Sequence, residues 1–216
     1  MQIYVRSDNL AEISTAAEAG LADGILYAGS GDAEHEQTEL SEIVAEFALP
    51  VCVAVGAMTT AEMYREAREI ARMSDRIIVQ VPLVEDAVPV IRRLTVDGVD
   101  VCANYIFNAA QASIAARAGA GKVLVSVPDL DAQGQSVDEV LGEIRAVFDR
   151  THAECDLVAS GPRSAAEFTA CILAGADIIC ITPTLLRTLI LHPSTDRALD
   201  RFLNEAGKRG KHRSKS

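Results

Sequence analysis

The strongest constraint on the fold is a regular alternation of short β-branched segments with longer amphipathic segments. An uninterrupted apolar segment fits a strand buried on both faces, whereas apolar residues spaced three and four apart place one face of a helix on a core. The apolar segments cover residues 2–6, 23–27, 50–55, 76–81, 100–104, 122–126, 155–160 and 177–182. Helical patterns follow them, for example at 59–73, 84–98, 108–121, 136–150 and 164–176. Eight such units predict a single (β/α)₈ TIM barrel over residues 1–193.

A doubly wound open sheet also alternates strands with helices and is the alternative fold. The chain has neither a G-x-G-x-x-G turn after its first strand nor a phosphate loop that ends in Gly-Lys-Ser/Thr. After the barrel, residues 194–207 are predicted as an extra C-terminal helix, and residues 208–216 as a basic, disordered tail. We interpret the tail as solvated, with a polyanion-binding arm as the alternative.

The net charge and the cysteines limit the classes of partner. The 216 residues carry a formal charge of -11, which argues against nucleic acid or an anionic membrane as a partner. No apolar stretch approaches the roughly 20 residues of a membrane helix, and the first residues lack the pattern of a secretory signal. The five cysteines have no metal-ligand spacing, and we expect no metal and no cofactor. Cys52, Cys102 and Cys180 lie in β-branched segments, so we expect them to be reduced core residues in a cytoplasmic protein.

Function in such a barrel lies at the carboxyl ends of the strands, so polar residues there are the candidates. They are Arg6, Tyr27, Gln80, Asn104, Ser126, Asp129, Ser160, Arg163 and Thr182. Gln80 interrupts the apolar run IIVQVP, where a buried amide without a hydrogen-bond partner costs about 1–3 kcal/mol. It is either a satisfied barrel-lining residue or a ligand contact, with Asn104 as its partner or as a second ligand contact.

Arg6 and residues 159–164 are the candidates for binding an anion. An inward Arg6 needs a negative charge, from Asp129 or from a ligand, whereas an outward Arg6 merely closes the first strand. The turn ASGPRS leads into a helix, whose first backbone N–H groups favour an anion. Ser160 would add a hydroxyl and Arg163 a guanidinium fork. The alternative is that Ser, Gly and Pro serve only the geometry of the turn.

The order of these motifs resembles the transaldolase family, most closely its short branch of fructose 6-phosphate aldolase-like barrels. The matching segments are IYVRSDNL, DGILYAGS, AMTTAEM, IIVQVP, NAAQ, VPDLDAQG, ASGPR with LAGAD, and HPSTDRALDRF. The resemblance implies a TIM barrel of carbohydrate metabolism, lyase- or transferase-like, acting on a small molecule such as a sugar phosphate. It also implies a homo-oligomer, a pentamer or a decamer, in which the C-terminal helix packs on a neighbouring subunit.

The catalytic positions of that family are replaced in this chain. The resemblance places the Schiff-base lysine of the K-V-P motif at Gln80 and the proton-transferring aspartate of the first strand at Arg6. The asparagine of the family's T-T-N-P motif falls on Ala28, and the catalytic residue of the third strand falls near Val55. Asn104 stands where the family has a threonine at the end of the fifth strand.

The phosphate-binding positions are only partly kept. Ser126 matches a serine of the longer transaldolases, but the arginine three residues further on is Asp129. Ser160 and, with a shift of one residue, Arg163 match the serine and arginine that bind phosphate in the family.

The lysines argue against a Schiff base independently of any alignment. The chain has four, Lys122, Lys208, Lys211 and Lys215, and the last three lie in the C-terminal region. Lys122 begins the sixth strand, at the end of the barrel opposite the predicted site. Because iminium chemistry needs an amine among the reacting groups, we expect none here.

Two hypotheses follow from these replacements. In the first, the barrel is an enzyme that uses Gln80 and Asn104 to stabilise an oxyanion, Asp129 to move a proton, and Arg6 as the cation of the site. Aldol-type cleavage, dehydration, isomerisation and cyclisation all fit these residues. In the second, the barrel is a non-catalytic relative that binds a metabolite or a partner protein. The exchange of charged residues at the site favours a rebuilt pocket over simple decay.

Overall fold

Eight parallel strands close into a barrel in the computed structural model, which describes residues 1–29 and 33–213. The strands are β1 Gln2–Arg6, β2 Gly24–Leu26, β3 Val51–Ala54, β4 Ile77–Pro82, β5 Asp100–Asn104, β6 Lys122–Ser126, β7 Asp156–Ser160 and β8 Ile178–Ile181. They pair in chain order, and β8 pairs with β1 to complete the ring. This arrangement confirms the (β/α)₈ barrel and excludes the open sheet.

Helices surround the barrel and connect its strands. They are α1 Leu10–Glu18, α2 Ala33–Glu46, α3 Thr60–Ala71, α4 Ala87–Val96, α5 Ala109–Ala118, α6 Val127–Ala132, α7 Val137–Thr151, α8 Ala165–Leu173, α9 Pro183–Ile190 and α10 Pro193–Arg213. The sequence pattern predicts α10 but ends it at residue 207, whereas the helix continues to Arg213. Residues 214–216 of the predicted tail lie outside the described residues.

The strands bury both faces because successive side chains point to opposite sides of the sheet. One set fills the inside of the barrel: Tyr4, Leu26, Cys52, Ile78, Cys102, Leu124, Val158, Ile178 and Cys180. The other set packs against the surrounding helices in a larger core, whose bulkiest helix residues include Ile13, Met63, Leu141, Ile144 and Phe148. The continuous apolar segments of the sequence are therefore strands covered on two sides.

The inside of the barrel is filled partly by an aromatic ring and by thiols. The ring of Tyr4 lies against Gly24, where a Cβ atom would be 2.5 Å from two ring carbons. Any side chain at position 24 would displace that ring. All five cysteines are buried and unpaired, among them Cys52, Cys102 and Cys180, which the sequence predicts in the core.

No helix within residues 1–29 and 33–213 combines the length and the apolar character needed to cross a membrane.

Candidate functional site

A layer of mostly polar side chains lies inside the barrel at the carboxyl ends of the strands. Each member is two residues beyond a side chain that fills the barrel, and it therefore shares the inward face. We call this layer the mouth; it comprises Arg6, Ala54, Gln80, Asn104, Ser126, Ser160 and Thr182. The strand register sets Gln80 level with Ala54, and Ser126 level with Ser160, whereas Asn104 is level with Pro82. The predicted residues Arg6, Gln80, Asn104, Ser126 and Ser160 thus share the inward face at one end of the barrel, at different heights.

Gln80 faces the mouth from β4, a strand in which every residue is buried. Its side chain is 5% exposed and has no hydrogen-bond partner among the described residues. The expectation of a satisfied barrel-lining glutamine is therefore not met. A buried amide without a protein partner is suited to contact a ligand.

Asn104 faces the mouth from the end of β5. Its Oδ1 atom is sealed from solvent and accepts no hydrogen bond from any described residue. The predicted bond between Asn104 and Gln80 is thus not formed, which leaves the alternative of a shared ligand. The next residue, Tyr105, is 58% exposed and has a φ of 57°, a left-handed conformation that is unusual for an aromatic side chain.

Arg6 ends β1 on the same face as Tyr4, so it points into the mouth as one of the two sequence alternatives requires. It is exposed, and no described residue forms an ion pair with it, Asp129 included. Burial raises the pKa of the Cys180 thiol well above its ordinary value, and the positive charge of Arg6 opposes that shift.

Asp129 lies on the rim of the mouth, in the first turn of α6. Its carboxylate is exposed and has no hydrogen bond or ion pair with the described residues. Ser126, at the N-cap of the same helix, is half-buried, and its hydroxyl makes no capping bond. Both groups are thus free to meet a ligand, although Asp129 is not part of the inward layer.

The two residues predicted as anion ligands in the turn after β7 have different surroundings. Ser160 is 7% exposed in the mouth, and its hydroxyl has no partner among the described residues. Arg163 instead pairs with Asp131 of α6, and its Nε atom lies 3.6 Å from Oε2 of Glu167. The Arg163 backbone N–H also donates to Glu167, at 2.8 Å. The Arg163 guanidinium, which the sequence predicts as an anion ligand, is therefore already paired with two carboxylates.

Two further sequence candidates have structural partners. The Thr182 hydroxyl accepts the backbone N–H of Leu185 at 3.2 Å and caps α9. The Tyr27 hydroxyl donates to Oε2 of Glu39 at 2.7 Å, which connects the end of β2 to α2. Neither residue is left free for a ligand.

Sequence reasoning missed the Asp131 partner of Arg163 and the left-handed Tyr105. The spacing of four residues between Arg163 and Glu167 is a usable signal for one half of the ion-pair cluster. No comparable signal exists for Asp131, because that pairing depends on how α6 and the turn after β7 meet. The conformation of Tyr105 likewise has no signature in residue type.

Lysine is remote from the mouth in the described barrel. Lys122 is the only lysine before residue 208, and it lies at the amino end of β6. Its Nζ atom is 3.5 Å from Oδ2 of Asp156. The side chain therefore belongs to an ion pair at the opposite end of the barrel.

The fold is a (β/α)₈ barrel with a polar mouth at the carboxyl ends of its strands, and comparisons with known proteins identify the family. The family model described as Transaldolase/Fructose-6-phosphate aldolase matches residues 36–215. A "Probable transaldolase" of Hyphomonas neptunium is 33% identical over 219 residues, covering 97% of this chain and 99% of the relative. One of Parvibaculum lavamentivorans is 34% identical, with 97% and 98% coverage. The chain belongs to the transaldolase/fructose-6-phosphate aldolase family.

More distant matches agree with this fold. A "Probable transaldolase" of Thermoplasma volcanium is 28% identical over 211 residues and covers 95% of both chains. Among solved structures, a cube-shaped, highly porous protein cage designed by fusing symmetric oligomeric domains superposes with a TM-score of 0.63. It is 16% identical, and the match covers 97% of this chain and 77% of that chain, so it supports the fold alone.

Proposed function

We propose that this protein is a transaldolase-family enzyme that acts on a small carbonyl-containing or phosphorylated metabolite without forming a Schiff base. The observation that carries the proposal is the Gln80 amide, which is buried in the mouth and has no hydrogen-bond partner among the described residues. Gln80 occupies the strand position that the family resemblance assigns to the lysine. An amide donates hydrogen bonds, but it forms no covalent bond with a carbonyl.

The proposed chemistry is proton transfer assisted by hydrogen bonds. Asp129 takes a proton from the substrate, and the freed electron pair ends on a carbonyl oxygen. Gln80 and Asn104 donate N–H groups to that oxygen as its charge grows, and such donors are typically worth about 10²–10³ in rate. Aldol-type cleavage, dehydration, isomerisation and cyclisation share this step.

The remaining residues bind and orient the ligand in this proposal. Arg6 holds an anionic group, and the hydroxyls of Ser126 and Ser160 bind the polar remainder. Arg163 keeps a minor binding role at the rim, because Asp131 and Glu167 already neutralise it. We further propose a cytoplasmic location, supported by five unpaired cysteines.

A metabolite screen by thermal shift, followed by turnover assays on the hits, tests the proposal. Asp129→Asn removes the proton acceptor and keeps the shape, so we expect at least a hundredfold loss of turnover with binding retained. Gln80→Ala should also lose turnover. Asp75→Asn is the matched control, because this exposed carboxylate precedes β4 at the amino end of the barrel. If Asp129→Asn keeps full turnover, the assignment of the base is wrong.

The second candidate is a non-catalytic binding protein, and the isolation of Asp129 favours it. No described residue holds that carboxylate in place, whereas general-base catalysis needs a positioned group. A binding protein would show thermal shifts with ligands in the same screen and no product from any of them.

A further inference from the structure

We propose that the mouth selects a hydroxy or keto acid, whose carboxylate binds Arg6, over a phosphorylated ligand. The inference rests on the proposed function only in placing a small-molecule ligand in the mouth. It does not depend on whether that ligand is turned over.

The Arg6 guanidinium has no counter-ion in the protein. Arg6 has no ion pair with the described residues, and the other residues of the mouth are neutral. An arginine at such a position favours an anion, and its planar fork matches the two oxygens of a carboxylate. The charge of one guanidinium is balanced by one carboxylate.

The rim of the mouth at the ends of β6 and β7 is negatively charged. At the ends of β6 and β7, Arg163 is bound by Asp131 and Glu167, and Asp129 is exposed beside them. This rim therefore carries three carboxylates and one guanidinium. A phosphate monoester carries about -1.5 to -2 charges at neutral pH, so this rim repels it more strongly than it repels a carboxylate.

Buried polar groups await the rest of the ligand. The amide of Gln80 and the hydroxyl of Ser160 are more than nine-tenths buried and have no described partner. Ligand hydroxyl groups supply donors and acceptors to both side chains, whereas an apolar acid leaves them unsatisfied.

Calorimetric titration of matched ligands tests this inference. The probes are aldonates of three to six carbons, the alditols of the same length, and the alditol phosphates. We expect at least one aldonate to bind tenfold or more tightly than both its alditol and its alditol phosphate. Arg6→Gln should remove this preference, and Arg6→Lys should leave part of it, because lysine keeps the charge without the fork. Arg117→Gln, an exposed site on α5, is the control that should leave it unchanged.

Three results would overturn the inference: tighter binding of the phosphates, no aldonate preference in any pair, or loss of the preference in Arg163→Gln but not in Arg6→Gln. The result can be separated from that of the proposed function. Aldonate preference without any turnover leaves the inference standing and removes the enzyme. If the protein turns over a sugar phosphate in a reaction that depends on Asp129 but shows no aldonate preference, the proposed function stands and this inference fails.

Discussion

Charged residues at the amino end of the barrel form ion pairs, whereas several polar residues of the mouth have no described partner. Lys122 pairs with Asp156, and Oδ2 of Asp177 accepts bonds of 2.8 Å from both Arg145 and the Leu157 N–H. In the mouth, by contrast, Gln80 has no described partner and Asn104 leaves its Oδ1 unsatisfied. The ion pairs at the first end stabilise the fold, whereas the unpartnered groups at the second end are costly to it.

Replacing one residue from each end should therefore change stability in different ways. Asp177→Ala leaves Arg145 and the Leu157 N–H without their acceptor, and we expect a loss of about 2 kcal/mol in the free energy of unfolding. Asn104→Ala removes an unsatisfied acceptor, so we expect no loss. Urea denaturation measures both. A loss above about 1 kcal/mol for Asn104→Ala would show that its amide is satisfied in the folded protein.

Helix α7 ends at Thr151, and its C-cap residue His152 has a left-handed backbone conformation. His152 has a φ of 51°, and its N–H bonds to the carbonyls of Asp149 and Phe148. A left-handed conformation costs an ordinary residue about 1 kcal/mol or more, and glycine is free of that cost. His152→Gly should therefore raise the free energy of unfolding by about 1 kcal/mol.

Gly98 provides the reverse substitution for the same measurement. It has a φ of 78° after α4, and a Cβ atom there meets nothing within 4 Å, so only the backbone is tested. Gly98→Ala should lose about 1 kcal/mol. Equal stability of both variants and the parent protein would contradict the argument from backbone strain.

At the scale of elements, the strands and most helices are predictable because each carries a pattern that needs no partner to be recognised. The continuous apolar segments predict β4 and β5, and the residue at the end of each strand predicts most of the mouth. Helix α6 has only six residues and begins around Pro128, too short for a periodic pattern. The ion pair of Arg163 with α6 depends on tertiary packing, so the sequence predicts a free arginine where the structure has a neutralised one.

Helix α10 exposes an apolar row that the described barrel does not cover. Its side chains over 193–204 are exposed, including Leu199, Phe202 and Leu203, at 54%, 66% and 57%. We propose that this apolar row packs on a neighbouring subunit of a homo-oligomer, a pentamer or a decamer by family resemblance.

Light scattering on a chain that ends before Ser194 tests this role of α10. The shortened protein should form a smaller species than the full chain. Phe202→Ser in the full chain should weaken the same assembly, and Arg201→Ser on the same helix is its control. An unchanged oligomer after removal of α10 would show that the assembly uses another surface.

At the scale of the whole molecule, the thiols inside the barrel make stability depend on alkaline pH. Burial raises the pKa of Cys52 from its ordinary 9.0 to about 12 and also raises the pKa of Cys102 and Cys180. Because the folded state holds these protons more tightly, their contribution is complete below pH 9.0 and is lost as pH rises toward 12. The free energy of unfolding should therefore fall over that window, and Cys52→Ala should reduce the slope. A slope unchanged in Cys52→Ala would contradict the burial of a protonated thiol.

The central claim, a transaldolase-family barrel that works without a Schiff base, is tested most directly by borohydride trapping. The protein is reduced with borohydride in the presence of dihydroxyacetone or fructose 6-phosphate, and its intact mass is measured, followed by peptide mapping. The absence of a lysine in the mouth predicts an unchanged mass. A reduced adduct that maps to a residue of the barrel would contradict the account.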